Sequence, residues 1–193
     1  DNVDSIVAWI KWNKWDGVKV YFAHYDPRAV EMHAARIKEL GVESYIESHY
    51  DDIRESKMKD STFDLVINDF RLNFNQNDRQ NKEMMSHTHR VLKPGGVALI
   101  STVVDGRYEN IKYGDDQQKA PHNGNKPGLF QADEHLVRRC WSVPYYRRLF
   151  QKARFENVVE FDIKAGKKWG FDSISSNTDP WQGPFYRRWC LQK

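Results

Sequence analysis

The sequence has little cysteine and no long hydrophobic run. Its 193 residues include only Cys140 and Cys190, too few for a disulfide scaffold, and neither has the spacing of a Cys-x-x-Cys or Cys/His metal site. No apolar run approaches the ~18 residues of a membrane-spanning helix, and the first residues do not form a signal-peptide pattern. We therefore expect a cytoplasmic protein with no membrane partner.

Metal-binding and hydrolase motifs are also missing. His87 and His89 lie two residues apart on a predicted helix, so they point to different faces and do not form a ligand pair. The chain has no Walker loop and no Ser/His/Asp or Cys/His arrangement that would indicate a hydrolase. We expect no metal site.

The chain is nevertheless typical of a globular protein. Its apolar content of 39%, with 13% aromatic residues, argues against disorder, and its length predicts a single domain over residues 1–193. The net charge of +3 hides an asymmetry. Residues 1–106 carry 14 basic and 17 acidic side chains, whereas residues 107–193 carry 16 and 10. The basic C-terminal part is therefore the candidate surface for an anionic partner.

The first hundred residues alternate between helical and strand patterns. Asp26 and Pro27 suit the start of a helix, and Gly41 suits its end. Strands separated by helices predict a parallel sheet covered on both faces. The predicted strands are Val18–Ala23, Ser44–Glu47, Phe63–Asn68 and Val97–Ser101, and the predicted helices lie around 3–10, 26–40 and 82–92.

The second half begins with a change of composition. Asp105–Gly128 is rich in Gly, Asn, Asp, Gln and Lys, and we interpret it as a loop insertion that could serve as a lid. A helix is predicted around Tyr145–Ala153, followed by strands near Asn157–Ile163 and Phe185–Leu191. The last two strands predict an antiparallel hairpin that closes the edge of the sheet.

Two segments resemble one known family. The sequence "FDLVIND" at 63–69, followed by "RVLKPGG" at 90–96, resembles the class I S-adenosylmethionine (SAM)-dependent methyltransferases. The resemblance implies a Rossmann-like three-layer α/β sandwich, mostly parallel with an antiparallel C-terminal edge hairpin, and SAM as cofactor. The glycine-rich first strand and loop of that family are absent, so we expect either residues before Asp1 or another element in their place.

The resemblance also implies where a ligand would bind. In open α/β sheets, ligands lie at the carboxyl ends of the strands. His24 and His49 stand where the family usually has acids, and a shift of two or three residues would supply Asp51 or Asp52 instead of His49. The residues expected to bind SAM are His24, Tyr25, His49, Tyr50, Asp51, Asp69 and Phe70, with Asp69 also as the catalytic residue and with Arg71, Tyr113 and Trp141 contacting the acceptor.

Three functions remain open from the sequence. The leading one is methyl transfer from SAM to an unidentified acceptor, with a small molecule favoured. The second is a non-catalytic methyltransferase-like subunit, structural or associated with RNA. The third is a nucleic-acid methyltransferase that uses the basic C-terminal face, whose paired arginines are Arg138, Arg139, Arg147, Arg148, Arg187 and Arg188.

Overall fold

The fold is an alternation of helices and strands, known from a computed structural model that describes residues 2–69, 71–75, 77–104, 128–133, 136–162 and 185–193. The chain consists of two compact units, Asp1–Lys57 and Met58–Lys193. The elements in chain order are α1 Asn2–Asn13, β1 Val20–His24, α2 Pro27–Glu39, β2 Ile46–Tyr50, β3 Phe63–Asp69, α3 Arg71–Phe74, α4 Asp78–Val91, β4 Leu92–Val104, β5 Gly128–Asp133, β6 Leu136–Cys140, α5 Val143–Lys152, β7 Asn157–Asp162 and β8 Phe185–Gln192.

The first unit is a small α/β layer. β1 and β2 pair in parallel, with Val20 opposite Ile46 and His24 opposite Tyr50. The guanidinium of Arg36 on α2 binds the carboxylate of Asp4 on α1 (Nε to Oδ1 3.1 Å), which ties the two helices together. The apolar core of this unit consists of Val3, Val7, Ile10, Ile37, Val42 and Ile46.

Local sequence signals define α2 as predicted. The side chain of Asp26 accepts a hydrogen bond from the Arg28 amide (3.0 Å), so Asp26 is the N-cap, and Pro27 occupies the first helical position. Gly41 follows the helix with φ +64, a left-handed conformation that glycine adopts without a steric penalty.

The second unit contains a four-stranded sheet in the order β3-β4-β8-β7. β3 and β4 are parallel, whereas β8 runs antiparallel to both β4 and β7. β8 therefore lies inside the sheet and β7 forms its edge. This confirms the α/β fold class, with parallel strands and an antiparallel C-terminal pair. A separate antiparallel pair is formed by β5 and β6.

β4 begins at Leu92, five residues before the strand predicted to begin at Val97. Phe63 pairs with Leu92 and Leu65 with Val97, so the one residue between these pairs in β3 faces four residues in β4, and the extra residues bulge. Gly95 has φ +76, and a Cβ on Gly96 would lie 2.9 Å from the Lys93 carbonyl oxygen. The two glycines therefore permit a bulge inside the strand rather than a turn before it.

Aromatic side chains form the core of the second unit. Tyr146, Phe150 and Trp189 are fully buried, and the Phe150 and Trp189 rings meet edge to face with centroids 5.2 Å apart. The predicted loop over Asp105–Gly128 lies outside the described residues, apart from Gly128 at the start of β5. Among the described residues, no helix combines the length and the apolar character needed to cross a membrane.

Candidate functional site

Polar and aromatic side chains meet at the carboxyl ends of β1 and β2. His24 ends β1 opposite Tyr50, which ends β2, and the Asp51 amide donates to the His24 carbonyl (3.2 Å). The structure thus brings together four of the predicted cofactor residues within the first unit, namely His24, Tyr25, Tyr50 and Asp51. Tyr25 and Tyr50 are exposed, 53% and 67% respectively.

Asp51 carries an unusual carboxylate. Its Oδ1 is 3.4 Å from the amide nitrogen of Lys57, but its Oδ2 is buried and has no hydrogen-bond partner among the described residues. A buried acceptor without a donor costs about 1–3 kcal/mol, and more if it is charged. A hydroxyl or amino group of a ligand would remove that cost.

Asp52 is engaged within the protein. Its two oxygens accept hydrogen bonds from Arg54 Nε (2.9 and 3.0 Å), and this pairing lowers the pKa of the Asp52 carboxyl. The Arg54 guanidinium in turn lies over the Tyr25 ring, 5.7 Å from its centroid, while His24 stacks near the same ring at 4.9 Å. Of the two aspartates, Asp51 is therefore the one with a carboxylate oxygen that has no hydrogen-bond partner among the described residues.

The two histidines have structural contacts of their own. His24 Nδ1 accepts a hydrogen bond from the Asp26 amide (2.9 Å), which shapes the turn into α2. His49 lies within β2 rather than after it, because β2 extends to Tyr50 instead of ending at Glu47 as predicted. Its Nε2 is 3.1 Å from the Glu47 carboxylate, and its ring packs against Tyr21. Cofactor contacts by His24 and His49 remain predictions.

The predicted catalytic segment lies at the end of β3 in the second unit. Asp69 is the last strand residue and pairs with Ser101 of β4, and Arg71 begins α3 with a partly buried side chain. Phe70 and Tyr113 lie outside the described residues. The roles of Asp69, Phe70, Arg71 and Tyr113 therefore remain predictions.

Buried amides surround this segment, and sequence reasoning missed them. Asn68 Nδ2 donates to Met84 Sδ (3.2 Å), while Asn68 Oδ1 is buried without a hydrogen-bond partner in the described part of the chain. Asn73 Nδ2 donates to Tyr146 Oη (3.2 Å), and Asn75 is also buried. The signal in the sequence was the run of asparagines in "LNFNQNDRQN" at 72–81, which is unusual for side chains in a core.

Trp141, predicted to contact the acceptor, is buried in the same region. Its ring stacks on Tyr145 with centroids 4.0 Å apart, and the Tyr145 hydroxyl donates to Asp78 Oδ1 (2.9 Å). Burial raises the pKa of Tyr145, so this phenol stays protonated. The Asn81 amide joins the cluster in either orientation: it donates to Tyr145 Oη, or after exchange of N and O it accepts from Trp141 Nε1 (3.2 Å).

Part of the basic C-terminal charge is neutralised within the second unit. The Glu160 carboxylate binds both Arg147 (2.6 Å) and Arg187 (3.0 Å), and Arg187 is almost fully buried. Arg148 and Arg188 are exposed, and the side chains of Arg138 and Arg139 are outside the described set. In the described segments, no three His, Cys, Asp or Glu side chains are grouped as metal ligands.

Comparison with known proteins finds a family model that matches part of the chain, and solved structures that share its fold. Residues 8–96 match the protein-family model described as a methyltransferase domain. No curated protein sequence matches the chain. Among solved structures, a SAM-dependent methyltransferase from Methanosarcina mazei is 14% identical with a TM-score of 0.65, and the match covers 92% of this chain and 82% of that one.

Two further neighbours show how widely this fold is used. A geranyl diphosphate C-methyltransferase from Streptomyces coelicolor, solved with geranyl diphosphate and S-adenosylhomocysteine, matches with a TM-score of 0.67 and 14% identity over 97% of this chain and 66% of that one. The cyclase SpnF matches with a TM-score of 0.66 and 14% identity over 96% and 70%. At such identities the likeness establishes the fold alone.

The family match and the fold agree with the two segments that carried the resemblance, since both "FDLVIND" and "RVLKPGG" lie within the matched residues. Residues 8–96 of the chain therefore match a methyltransferase domain, and the fold is that of the SAM-dependent methyltransferases among the solved structures.

Proposed function

We propose that the chain transfers the methyl group of SAM to a small organic acceptor. The observation that carries the proposal is the buried Oδ2 of Asp51, which has no hydrogen-bond partner among the described residues and directly follows the exposed Tyr50 at the end of β2. A small acceptor is favoured by the solved neighbour that holds geranyl diphosphate. It is also favoured by the buried amide of Asn68, whose Oδ1 has no partner in the described segments and suits a single donor group.

The residues at the end of β2 fit an adenosine. Asp51 Oδ2 would accept a hydrogen bond from a hydroxyl or an amine, and the rings of Tyr25 and Tyr50 would pack against a flat base. The Arg54 guanidinium holds Tyr25 in place from the side that faces Asp52. SAM, when bound, supplies a methyl group already activated on a sulfonium sulfur.

Because the methyl group is activated, the protein's main task is positioning. In the second unit we assign this task to the end of β3. Asn68 Oδ1 would accept a hydrogen bond from the acceptor, and Asp69 would take the proton that the nucleophile loses. The ordered network of Asn73, Tyr146 and the Trp141–Tyr145 stack would keep this region rigid and exclude water.

The proposal is tested by methyl transfer from labelled SAM into a cell extract that has been separated into small molecules, RNA and protein. We expect the label in the small-molecule fraction. Asp51→Asn keeps the shape but removes the charge, and we expect it to raise the KM for SAM about tenfold, because a hydrogen bond to a charged group contributes about 1.5–3 kcal/mol. Glu43→Gln is the matched control, since Glu43 is an exposed acid of the same unit.

Three outcomes contradict the proposal. Label in the RNA fraction would support the nucleic-acid alternative, and label in protein would change the acceptor class. An Asp51→Asn enzyme with the KM of the wild type would remove Asp51 from the cofactor site.

A further inference from the structure

The outer side of α1 carries a cluster of exposed tryptophans. Trp9, Trp12 and Trp15 are 44%, 87% and 42% exposed, and Lys11 and Lys14 between them are also exposed. We call these five residues the tryptophan surface. Tryptophan is rarely so exposed, and three exposed indoles within seven residues form a patch rather than scattered apolar contacts.

The geometry of α1 explains why the indoles face outward. Val3, Val7 and Ile10 recur at helical spacing and are buried in the core of the first unit. Trp12 follows Ile10 by two residues, about 200° around the helix, so it projects away from that core. The core side of α1 is thus filled by aliphatic side chains, and Trp12 lies outside the core of the first unit.

The end of the helix organises the surface further. Lys14 has φ +51, and the Trp15 amide then donates to the Ile10 carbonyl (3.3 Å), which turns the chain back. This turn brings the ring of Trp15 to 4.3 Å from that of Trp9, at an interplanar angle of 67°. Two of the three indoles are therefore held in place before any partner binds, which reduces the entropy lost on binding.

The charges around this surface are mainly positive. Residues 5–19 include three lysines and one acid, the exposed Asp16 that follows Trp15. The nearest preceding acid, Asp4, is bound by Arg36 of α2. The surface therefore combines large amphipathic rings with positive charge, which is complementary to an anionic partner.

We propose that the tryptophan surface docks on the interfacial region of an anionic phospholipid bilayer. Indoles partition to the headgroup level, where the ring contacts acyl chains and the N–H binds polar groups. Lys11 and Lys14 meet the lipid phosphates from the same surface. This is attachment at the surface, which needs no spanning helix, and it departs from the expectation from the sequence that there is no membrane partner. Two lysines are few for tracking a nucleic-acid backbone, so stacking on nucleic acid is less well matched.

The test is sedimentation of the purified protein with vesicles of phosphatidylcholine alone or mixed with phosphatidylserine. We expect binding to the mixed vesicles, with a blue shift of tryptophan emission, and weakening in high salt. Trp12→Ser should lower the partition coefficient at least about tenfold, because one buried indole is lost. Lys11→Gln with Lys14→Gln should remove the preference for phosphatidylserine.

Met32→Ser is the matched control. Met32 is a 69% exposed apolar residue on α2 of the same unit, outside the tryptophan surface, and its replacement should leave vesicle binding unchanged. Thermal unfolding and S-adenosylhomocysteine binding of Trp12→Ser should equal those of the wild type, which separates loss of docking from loss of fold or of cofactor binding.

Absence of binding to either vesicle overturns the proposal, and so does a Trp12→Ser protein that binds vesicles like the wild type. Self-association that Trp12→Ser abolishes, without vesicle binding, would assign the surface to a contact between copies of the chain and would equally overturn it.

Discussion

At the scale of single residues, a buried indole nitrogen depends on one hydroxyl. Trp189 is fully buried in β8, and its Nε1 donates to Thr102 Oγ1 of β4 (2.9 Å). Thr102→Val keeps the shape but leaves this N–H without an acceptor. We expect a loss of about 1–3 kcal/mol in the free energy of unfolding, measured by urea denaturation.

Thr88→Val provides the comparison. Thr88 is equally buried, but its hydroxyl donates to the Met84 carbonyl, which also accepts the helical hydrogen bond of α4. Its loss leaves no buried donor or acceptor unsatisfied, so the cost should stay below about 1 kcal/mol. If Thr102→Val and Thr88→Val lowered the free energy of unfolding equally, the unpaired Trp189 N–H would not be the cause of the loss in Thr102→Val.

The sequence indicates which residues the candidate site contains, but not how their side chains are paired. Tyr25, Tyr50 and Asp51 follow predicted strands, and parallel strands present their carboxyl ends at one edge. The choice between Asp51 and Asp52 could not be predicted, since it depends on which carboxylate Arg54 binds. The contact between Asn73 and Tyr146 joins residues far apart in the chain, so no local pattern indicates it.

At the scale of elements, α4 begins at a polar cap. Asn77 is extended (φ −157), and its side chain accepts from the Gln80 amide (3.0 Å). Asn77→Ala should lower the free energy of unfolding by about 1 kcal/mol, whereas Asn77→Asp should retain stability because it caps the helix and adds a favourable negative charge. Urea denaturation of both variants checks this, and an Asp variant as unstable as Ala would contradict it.

Element boundaries were predicted well where turn residues mark them. α2 is the example, with Asp26–Pro27 at its start and Gly41 after its end. α4 begins at Asp78 rather than 82 because its first turn is polar and carries no apolar periodicity. β2 begins later than predicted because Tyr45 and Ile46 donate to the Val42 carbonyl in a turn before the strand. The bulge at the start of β4 depends on pairing with β3, which local sequence does not specify.

At the scale of the whole molecule, many aspartates are bound by cations. The pKa of Asp4 is lowered by Arg36, that of Asp26 by Arg28 and that of Asp52 by Arg54. At Asp78, burial favours a higher pKa of the carboxyl, but hydrogen bonds from Lys82 and Tyr145 outweigh burial and lower that pKa. Lowering the pH should therefore reduce the free energy of unfolding, because the aspartates become protonated and lose these ion pairs.

Stability should fall in two steps as the pH is lowered. Burial lowers the pKa of His89 below its usual 6.5, so the unfolded chain takes up this proton first, and stability begins to fall below about pH 6.5. The aspartates have lowered pKa values when folded, so their contribution is present above about pH 4 and is lost as the pH falls further.

Urea denaturation between pH 7 and pH 2.5 measures both steps. His89→Gln should remove the loss of stability that begins below about pH 6.5 and leave the loss below about pH 4 unchanged. Asp52→Asn should reduce the loss below about pH 4 and leave the loss that begins below about pH 6.5 unchanged. A free energy of unfolding that rises as the pH drops below 4 would show that these ion pairs do not act in the predicted direction.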